Sequence, residues 1–293
     1  MDTAYFFEVR CSMKFEKVSL FNEDNKIKIK LSQISWDELI NDKSILFNAI
    51  CNLILDDKNL LYYATQKEST KTIVDTKKYV DSLKKNNNLI YAIKDIFNAL
   101  GWNDEINIEN TRFQGDLSEY LMSIFLDKFT NVETLISKIS FKTSSKMSVY
   151  GNDNVYFDYE NDILYFGESK FYQSASDGVD EALKSIEKHS TIEEISFVRN
   201  HTSSFIAENG EKRTKVIEKY ENAYIDNLNI RSIIFIMNQD VFKKENYEEM
   251  LINYFRDKET LQQKTEEIIL VFLPILSKKE FLEFFVRRVN NGK

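Results

Sequence analysis

Residues 147–172 read MSVYGNDNVYFDYENDILYFGESKFY, and the reading of this stretch decides the fold. β-Branched and aromatic residues run from Met147 to Phe157, interrupted at Gly151-Asn152-Asp153. Tyr159-Glu160-Asn161-Asp162 is polar and rich in Asx residues, whose side chains bond their own backbone and favour turns. Ile163-Leu164-Tyr165-Phe166 then runs apolar into Gly167-Glu168-Ser169-Lys170. The pattern predicts a β-hairpin. Side chains alternate across a strand, so Glu168 and Lys170 fall on one face. With Asp153 on the neighbouring strand, two carboxylates and an ammonium converge at one point. Such a group can hold a divalent cation and activate water.

Outward from the hairpin, apolar periodicity assigns the remaining elements. Gly115–Phe129 predicts a helix with Leu117, Tyr120, Leu121, Ile124 and Phe125 on one face. A strand is expected over Leu135–Phe141. Asp177–Lys188 predicts a helix with Val179, Leu183 and Ile186 as its apolar stripe, and Arg213–Tyr224 and Tyr247–Phe255 predict two more. Ile230–Met237 and Ile268–Ile275 are apolar runs of strand length, buried on both faces. Ser277-Lys278-Lys279-Glu280 is a capping box that opens a last helix reaching Val289. The order is helix, strands, helix, then strands alternating with helices. It predicts an α/β fold, a mixed sheet flanked by helices.

The polar, Asn-rich stretch Trp102–Arg112 marks a boundary. It separates a mostly helical N-terminal region, residues 1–105, from the region 106–293 that carries the hairpin. The N-terminal region begins with alternating segments at Tyr5–Arg10 and Lys26–Leu31, which predict one or two strands. The lysines of the second suit a solvated edge strand, where they discourage pairing. Helices follow at Trp36–Tyr63, Lys71–Leu83 and Leu89–Leu100, the last capped by Gly101. No chemistry-bearing motif falls in this region; a partner-docking role is its expected use.

Composition narrows the function classes. In 293 residues, 43% hydrophobic and 13% aromatic content supports a sizeable core and excludes disorder except locally. The net charge of −8 argues against a protein that coats DNA through a basic surface, so nucleic-acid contact has to be local or delivered by a partner. Cys11 and Cys51 show no metal or redox spacing, which fits a reducing compartment. His189 and His201 are too few to build a zinc site, and His189 suits a helix C-terminus, where the dipole favours it. No apolar run approaches the ~18 residues of a membrane span. The N-terminus lacks a basic segment followed by an apolar one, and a cytoplasmic location is expected.

An acid-x-Lys tripeptide is weak evidence in a chain with 29% charged residues. Asp56-Asp57-Lys58 is a decoy: it follows a helical pattern, where positions i and i+2 diverge by about 200°. Glu168-Ser169-Lys170 differs because it follows Ile163–Phe166 directly. A charged pair at the end of a buried strand is costly unless it is used or solvated. The aromatics of the hairpin, Tyr156-Phe157 and Tyr165-Phe166, are more often core than base-stacking platforms.

The order acid-bearing helix, Asp on a strand, E-x-K on the next strand, then helix resembles the PD-(D/E)xK nuclease superfamily. GNDNVYF…LYFGESKFY followed by VFLPILSKKEFLEFFVRRV resembles, more closely, the HamA-like nuclease subunit of Hachiman-type bacterial anti-phage defence. The likeness covers roughly residues 110–290. One departure is plain: Asn152 stands where the superfamily motif has proline. The resemblance implies a restriction-endonuclease-like mixed sheet and a Mg²⁺- or Mn²⁺-dependent DNA nuclease. It implies Asp153, Glu168 and Lys170 as catalytic residues, with Asp153 and Glu168 on the metal and the Ser169 carbonyl as a further donor. Glu119, or Asp116 in its place, completes the site from the first helix. Against Glu119 stands its position opposite the apolar stripe, where a solvent-exposed residue is expected. Tyr172 and Lys184 are candidate DNA contacts, although an ordinary surface lysine is the commoner reading of Lys184. The implied partner is a HamB-like superfamily 2 helicase that controls the nuclease. The rival readings are an inactive nuclease fold that binds DNA or the helicase, a stand-alone restriction endonuclease, and another phosphodiesterase or an RNase.

Overall fold

The structure, a computed structural model, describes residues 13–16, 28–34, 47, 49–51, 53, 111–129, 132–137, 154–158, 160–189, 229–239, 267–275 and 277–291. The elements are β1 (Met13–Glu16), β2 (Lys28–Ile34), α1 (Thr111–Phe129), β3 (Val132–Ser137), β4 (Asn154–Asp158), β5 (Ile163–Phe171), α2 (Ala175–His189), β6 (Ile230–Asn238), β7 (Glu267–Pro274) and α3 (Lys278–Asn291). The strands form one mixed sheet in the order β1-β2-β7-β6-β5-β4-β3. β3, β4 and β5 are antiparallel neighbours, whereas β5, β6, β7 and β2 run parallel. The fold is therefore mixed α/β, an open sheet flanked by helices, as the element order predicts.

The β4–β5 hairpin forms where its pattern places it over the described part, residues 147–153 of the expected first arm lying outside the described residues. Asp158 ends β4, and its Oδ1 accepts from the backbone N–H of Glu160 and Asn161 at 2.9 and 3.0 Å. Asn161 Nδ2 donates to Asp158 Oδ2 at 2.7 Å. Asp162 takes φ = 58°, the left-handed conformation that Asp and Asn tolerate better than most residues. The turn thus satisfies its own backbone locally, and the pairing runs on as Asp158–Ile163, Tyr156–Tyr165 and Asn154–Gly167.

β5 is buried along both faces, and its alternation sorts two cores. Ile163, Tyr165 and Phe171 pack with Tyr156, Ile233, Phe235 and Met237 beneath α1, in a cluster that also takes in Phe281, Leu282 and Phe285 of α3. Phe125 of α1 stacks on Phe235 at 5.8 Å between centroids. The opposite parity of the sheet, with Val155, Phe157, Leu164, Phe166, Ile234, Ile236, Leu270 and Phe272, is buried with Val179, Ala182, Leu183 and Ile186 of α2. β5 and β6 are parallel, and α2 supplies the crossover that parallel neighbours need.

Several expectations shift. β1 lies at Met13–Glu16, while the expected strand at Tyr5–Arg10 falls outside the described residues. β2 is not an edge: it is held between β1 and β7, so its lysine-rich alternation does not mark an open side of the sheet. β3 starts at Val132, three residues before the expected strand, and a bulge between Thr134 and Ile136 adjusts its register on β4. The helices expected at Lys71–Leu83, Leu89–Leu100, Arg213–Tyr224 and Tyr247–Phe255, the boundary near 105 and Asp56–Lys58 lie outside the described residues. Of Trp36–Tyr63, residues 47, 49–51 and 53 are described, and all are helical. Phe47 meets Phe285 at 5.6 Å, and Ala49, Ile50 and Cys51 join the core beneath α1.

Two glycines of the fold have opposite requirements. A Cβ on Gly167 would stand 2.7 Å from Tyr156 Cε2 and 3.2 Å from the Asn154 carbonyl oxygen, inside a core that has little room to give. A Cβ on Gly115, within α1, would meet nothing within 4 Å. Gly167→Ala is expected to destabilise by about 1–3 kcal/mol, and Gly115→Ala to stabilise by about 0.5–1 kcal/mol. Urea unfolding of the two variants checks both signs, and the packing described for α1 and β5 fails if Gly167→Ala unfolds like the parent.

Burial pushes the Cys51 thiol up to about 12, with the Arg288 charge opposing. An ordinary thiol titrates near 8.5. The folded chain therefore gains stability from its neutral thiol in full below about pH 8.5 and loses it as pH rises toward 12. Because the thiolate is the nucleophile, alkylation of Cys51 at pH 8.5 is expected to run roughly a thousandfold slower in the folded chain than in the urea-unfolded one. Mass spectrometry of the Cys51 peptide measures the ratio; comparable rates would contradict the burial.

Candidate active site

Glu168 and Lys170 occupy the α2 face of β5, and Ser169 between them faces α1. The neighbours of Glu168 across β6 and β7 are Ile234 and Leu270, and those of Lys170 are Ile236 and Phe272. The carboxylate is thus set in an apolar row, with only 3% of its side chain exposed. What compensates it is Lys170, whose Nζ donates to Glu168 Oε1 and whose side chain keeps 23% exposure. Glu168 is held dry while its partner reaches the solvent boundary. A charge pair removed from water in this way interacts far more strongly than it would at a wet surface.

On its other side β5 pairs with β4 as far as Asn154–Gly167. Asp153 lies outside the described residues. Asn154 is fully buried, and its Oδ1 and Nδ2 have no hydrogen-bond partner among the described residues. A buried amide of this kind calls for a water or an ion. It is a polar group that the hairpin pattern by itself did not single out.

Ser169 ties the E-x-K segment to α1. Ser118 Oγ donates to the Gly115 carbonyl at 2.9 Å, and Ser118 Oγ and Ser169 Oγ lie 3.0 Å apart, both buried. A hydroxyl has one proton. With that of Ser118 given to Gly115, Ser169 is the donor between the two serines.

Glu119 is not solvent-exposed. It is 8% exposed and Asp116 2%, because α1 is buried at every position from Asp116 to Leu126. The arc opposite the Leu117–Phe125 stripe is the one that carries Ser118 to Ser169 and Met122 to the side of Gly167. An amphipathic reading assumes one wet face, and a helix buried all round has none. The Tyr120 hydroxyl is pushed well above its ordinary range by burial and then by the charges of Asp116 and Glu119, which places both acids near it.

The remaining candidates lie farther along. Tyr172 follows β5, half-buried, its N–H donating to the Met237 carbonyl at 3.0 Å. Lys184 is exposed on α2 and pairs with Asp180 and Glu181 of its own helix at 2.5 and 2.9 Å, which raises its pKa. That is the arrangement of an ordinary helix-surface lysine.

The donors at this strand are oxygens, of the kind that hard divalent cations take. Among the described residues no three His, Cys, Asp or Glu side chains group closely enough to hold a metal ion, and Asp153 is not among them. A buried carboxylate and the backbone beside it fit a hard cation in chemistry, with Asp153 needed to complete the set; the Asn154 amide, of one parity with Tyr156 and opposite Gly167, belongs to the α1 face, away from Glu168.

Fold and site together define a mixed α/β protein that carries a buried acid–lysine pair on a central strand. The chain belongs to the HamA family: the family model described as HamA matches residues 13–289, nearly its whole length. Membership points to a component of Hachiman anti-phage defence. No curated protein matches the chain. Among the described residues, no helix is long and apolar enough to cross a membrane.

Removing one member of the ion pair leaves the other in the apolar row. Lys170→Ala is expected to cost about 1–3 kcal/mol at neutral pH, because a charged acceptor loses its donor. Glu168→Gln/Lys170→Met, which removes both charges, should return to within about 1 kcal/mol of the parent. Denaturant melts of the single and double variants test the pairing, which is refuted by a single variant as stable as the parent.

Proposed function

We propose that this chain is a metal-dependent DNA nuclease of Hachiman defence, controlled by a superfamily 2 helicase partner. The observation that carries the reading is the buried Glu168–Lys170 pair on β5. It supports a PD-(D/E)xK assignment because its surroundings follow that order: helix α1, antiparallel β3, β4 and β5, helix α2, then parallel β6. A salt bridge serving stability alone is replaceable by apolar residues of similar volume, often without loss. Its presence in a row of isoleucine, leucine and phenylalanine favours a chemical use.

Glu168 and Asp153 would hold Mg²⁺ or Mn²⁺, with the Ser169 carbonyl and either Glu119 or Asp116 as further donors. The reading requires the β4 pairing to run back one residue beyond Asn154–Gly167, so that alternation sets Asp153 beside Glu168 on the face away from Asn154. When bound, the cation supplies positive charge that polarises the phosphoryl oxygen and makes water more acidic. Lys170 orients the attacking water and offsets charge on the pentavalent phosphate. Glu168 keeps the Lys170 ammonium over the α2 face, and the Ser169–Ser118 bond fixes the strand between them. The overall charge of −8 gives little general attraction to DNA, which fits substrate delivery by a partner.

Cleavage of plasmid, linear duplex, single-stranded DNA and RNA, in Mg²⁺ or EDTA, with and without a co-encoded helicase and ATP, tests the reading. DNA should be cut in Mg²⁺ and left intact in EDTA. Glu168→Gln and Lys170→Ala are expected to lower the rate by about 100- to 10,000-fold. Equal cleavage by parent and variants would move the chemistry elsewhere, and no cleavage even with helicase and ATP would favour an inactive nuclease fold.

A further inference from the structure

Lys278 opens α3, and its side chain reaches back to the end of the E-x-K strand. Its Nζ donates to the carbonyl oxygen of Phe171, the last residue of β5, at 2.7 Å. The ammonium lies 4.7 Å from the centroid of the Phe171 ring and 6.0 Å from that of Tyr172. Phe171 belongs to the α1 face, and Tyr172 approaches Gly178 of α2, so the cation sits where the two faces of the sheet meet. Its backbone N–H donates to Gln239 Oε1 at 3.4 Å, just past β6.

An ammonium carries three donors. One is used on Phe171, and no carboxylate among the described residues pairs with Lys278. Lys184 is the contrast, an exposed lysine that holds two carboxylates. Lys278 is half-buried and its pKa is lowered by that burial, the state of a cation that has given up part of its water without gaining an anion among the described residues. The aromatic faces attract the ammonium without neutralising it. The first amides of α3 do not compete for an anion: Glu280 N–H donates to Ser277 Oγ at 3.3 Å, and Phe281 N–H to the Ser277 carbonyl at 3.0 Å.

We propose that Lys278, over the rings of Phe171 and Tyr172, anchors a backbone phosphate of the nucleic acid at the exit of the E-x-K strand. The proposal rests on the nuclease reading above. A phosphate oxygen takes the donors that the protein leaves over and supplies the negative charge that burial has withheld. Lys278 sits just beyond Lys170 along the chain's path out of β5, so an anchored strand is presented to Glu168 and Lys170 by the fold itself. Capping the Phe171 carbonyl accounts for one donor; it does not account for the absence of a carboxylate beside Lys278 among the described residues.

The full chain, with Mg²⁺ replaced by EDTA, is acetylated with a lysine-directed ester with and without a duplex of about 20 base pairs. Lys278 should be protected about tenfold by the DNA, and Lys184 should not. By fluorescence anisotropy, Lys278→Met should lower the slope of log K against log salt by about one, the signature of one lost phosphate contact, and Lys278→Arg should keep it. In cleavage, KM should rise about tenfold for Lys278→Met, as expected for one charge-assisted bond, with kcat within about twofold. A Lys278 labelled equally with and without DNA overturns the proposal, as does an unchanged salt slope in a Lys278→Met variant that merely melts earlier. Absence of DNA binding by the parent overturns it too. The nuclease reading is judged separately, by whether Glu168→Gln stops cleavage that the parent performs.

Discussion

β5 has to satisfy two helices at once, and the rest of the fold follows from that constraint. A strand with one wet face can spend every second residue on polarity. β5 has no wet face over Ile163–Ser169, so each polar group placed there needs its own partner. Three devices supply them. Glu168 takes Lys170, Ser169 takes Ser118, and Gly167 removes its side chain so that Tyr156 and Met122 can close over the gap. Each device points to a different neighbour, namely solvent at the α2 face, helix α1, and strand β4. The GESK segment is consequently fixed from three sides, as a site must be if its geometry is to survive thermal motion.

The same constraint explains what the amino-acid sequence discloses and what it hides. The hairpin is legible because turn chemistry is local: Asp158, Asn161 and Asp162 bond or bend within four residues of one another. β6 and β7 are legible because strands buried on both faces read as continuous apolar runs. The shared face of Glu168 and Lys170 is legible because alternation is a property of any strand. Glu119 is not. Its exposure depends on what packs around α1, and the cluster there includes residues 49–51 and α3, distant in sequence. β2 misleads for a related reason. Lysine alternation resembles edge protection, but whether a strand is an edge is decided by its neighbour, here β7, more than 200 residues on. Lys278 is read from sequence as one position of a capping box, and only the folded chain brings it to Phe171.

Net charge and local charge tell different stories about nucleic acid. A chain at −8 repels DNA at long range, and salt screens that field beyond about 10 Å. At contact distance the relevant quantity is the state of individual cations. Lys184 is already matched to carboxylates on its own helix. A phosphate gains little by displacing those partners, since it would exchange one anion for another. Cations that have lost water, or that are shared with a buried acid, respond differently, because an incoming anion adds a contact without breaking one. Lys278 is in the first condition and Lys170 in the second.

α3 turns these local features into a dependence on the whole fold. Its Phe281 and Phe285 rings pack on each other at 4.8 Å, Phe281 meets Phe171 edge-on at 6.0 Å, and Phe285 meets Phe47 at 5.6 Å. Aromatic contacts of this kind contribute about 0.5–1.5 kcal/mol each beyond area burial. They link the end of β5 to the C-terminal helix and, through it, to helical residues near position 50. A displacement of those N-terminal residues, by a docked partner for instance, therefore acts on the ring that underlies Lys278 and on the carbonyl one residue beyond Lys170. The N-terminal region carries no chemistry-bearing motif, yet its contact with Phe285 gives it a physical route to the strand that does. Under the partner control proposed above, this packed path is a route to β5, provided the partner binds one position of α3 better than another.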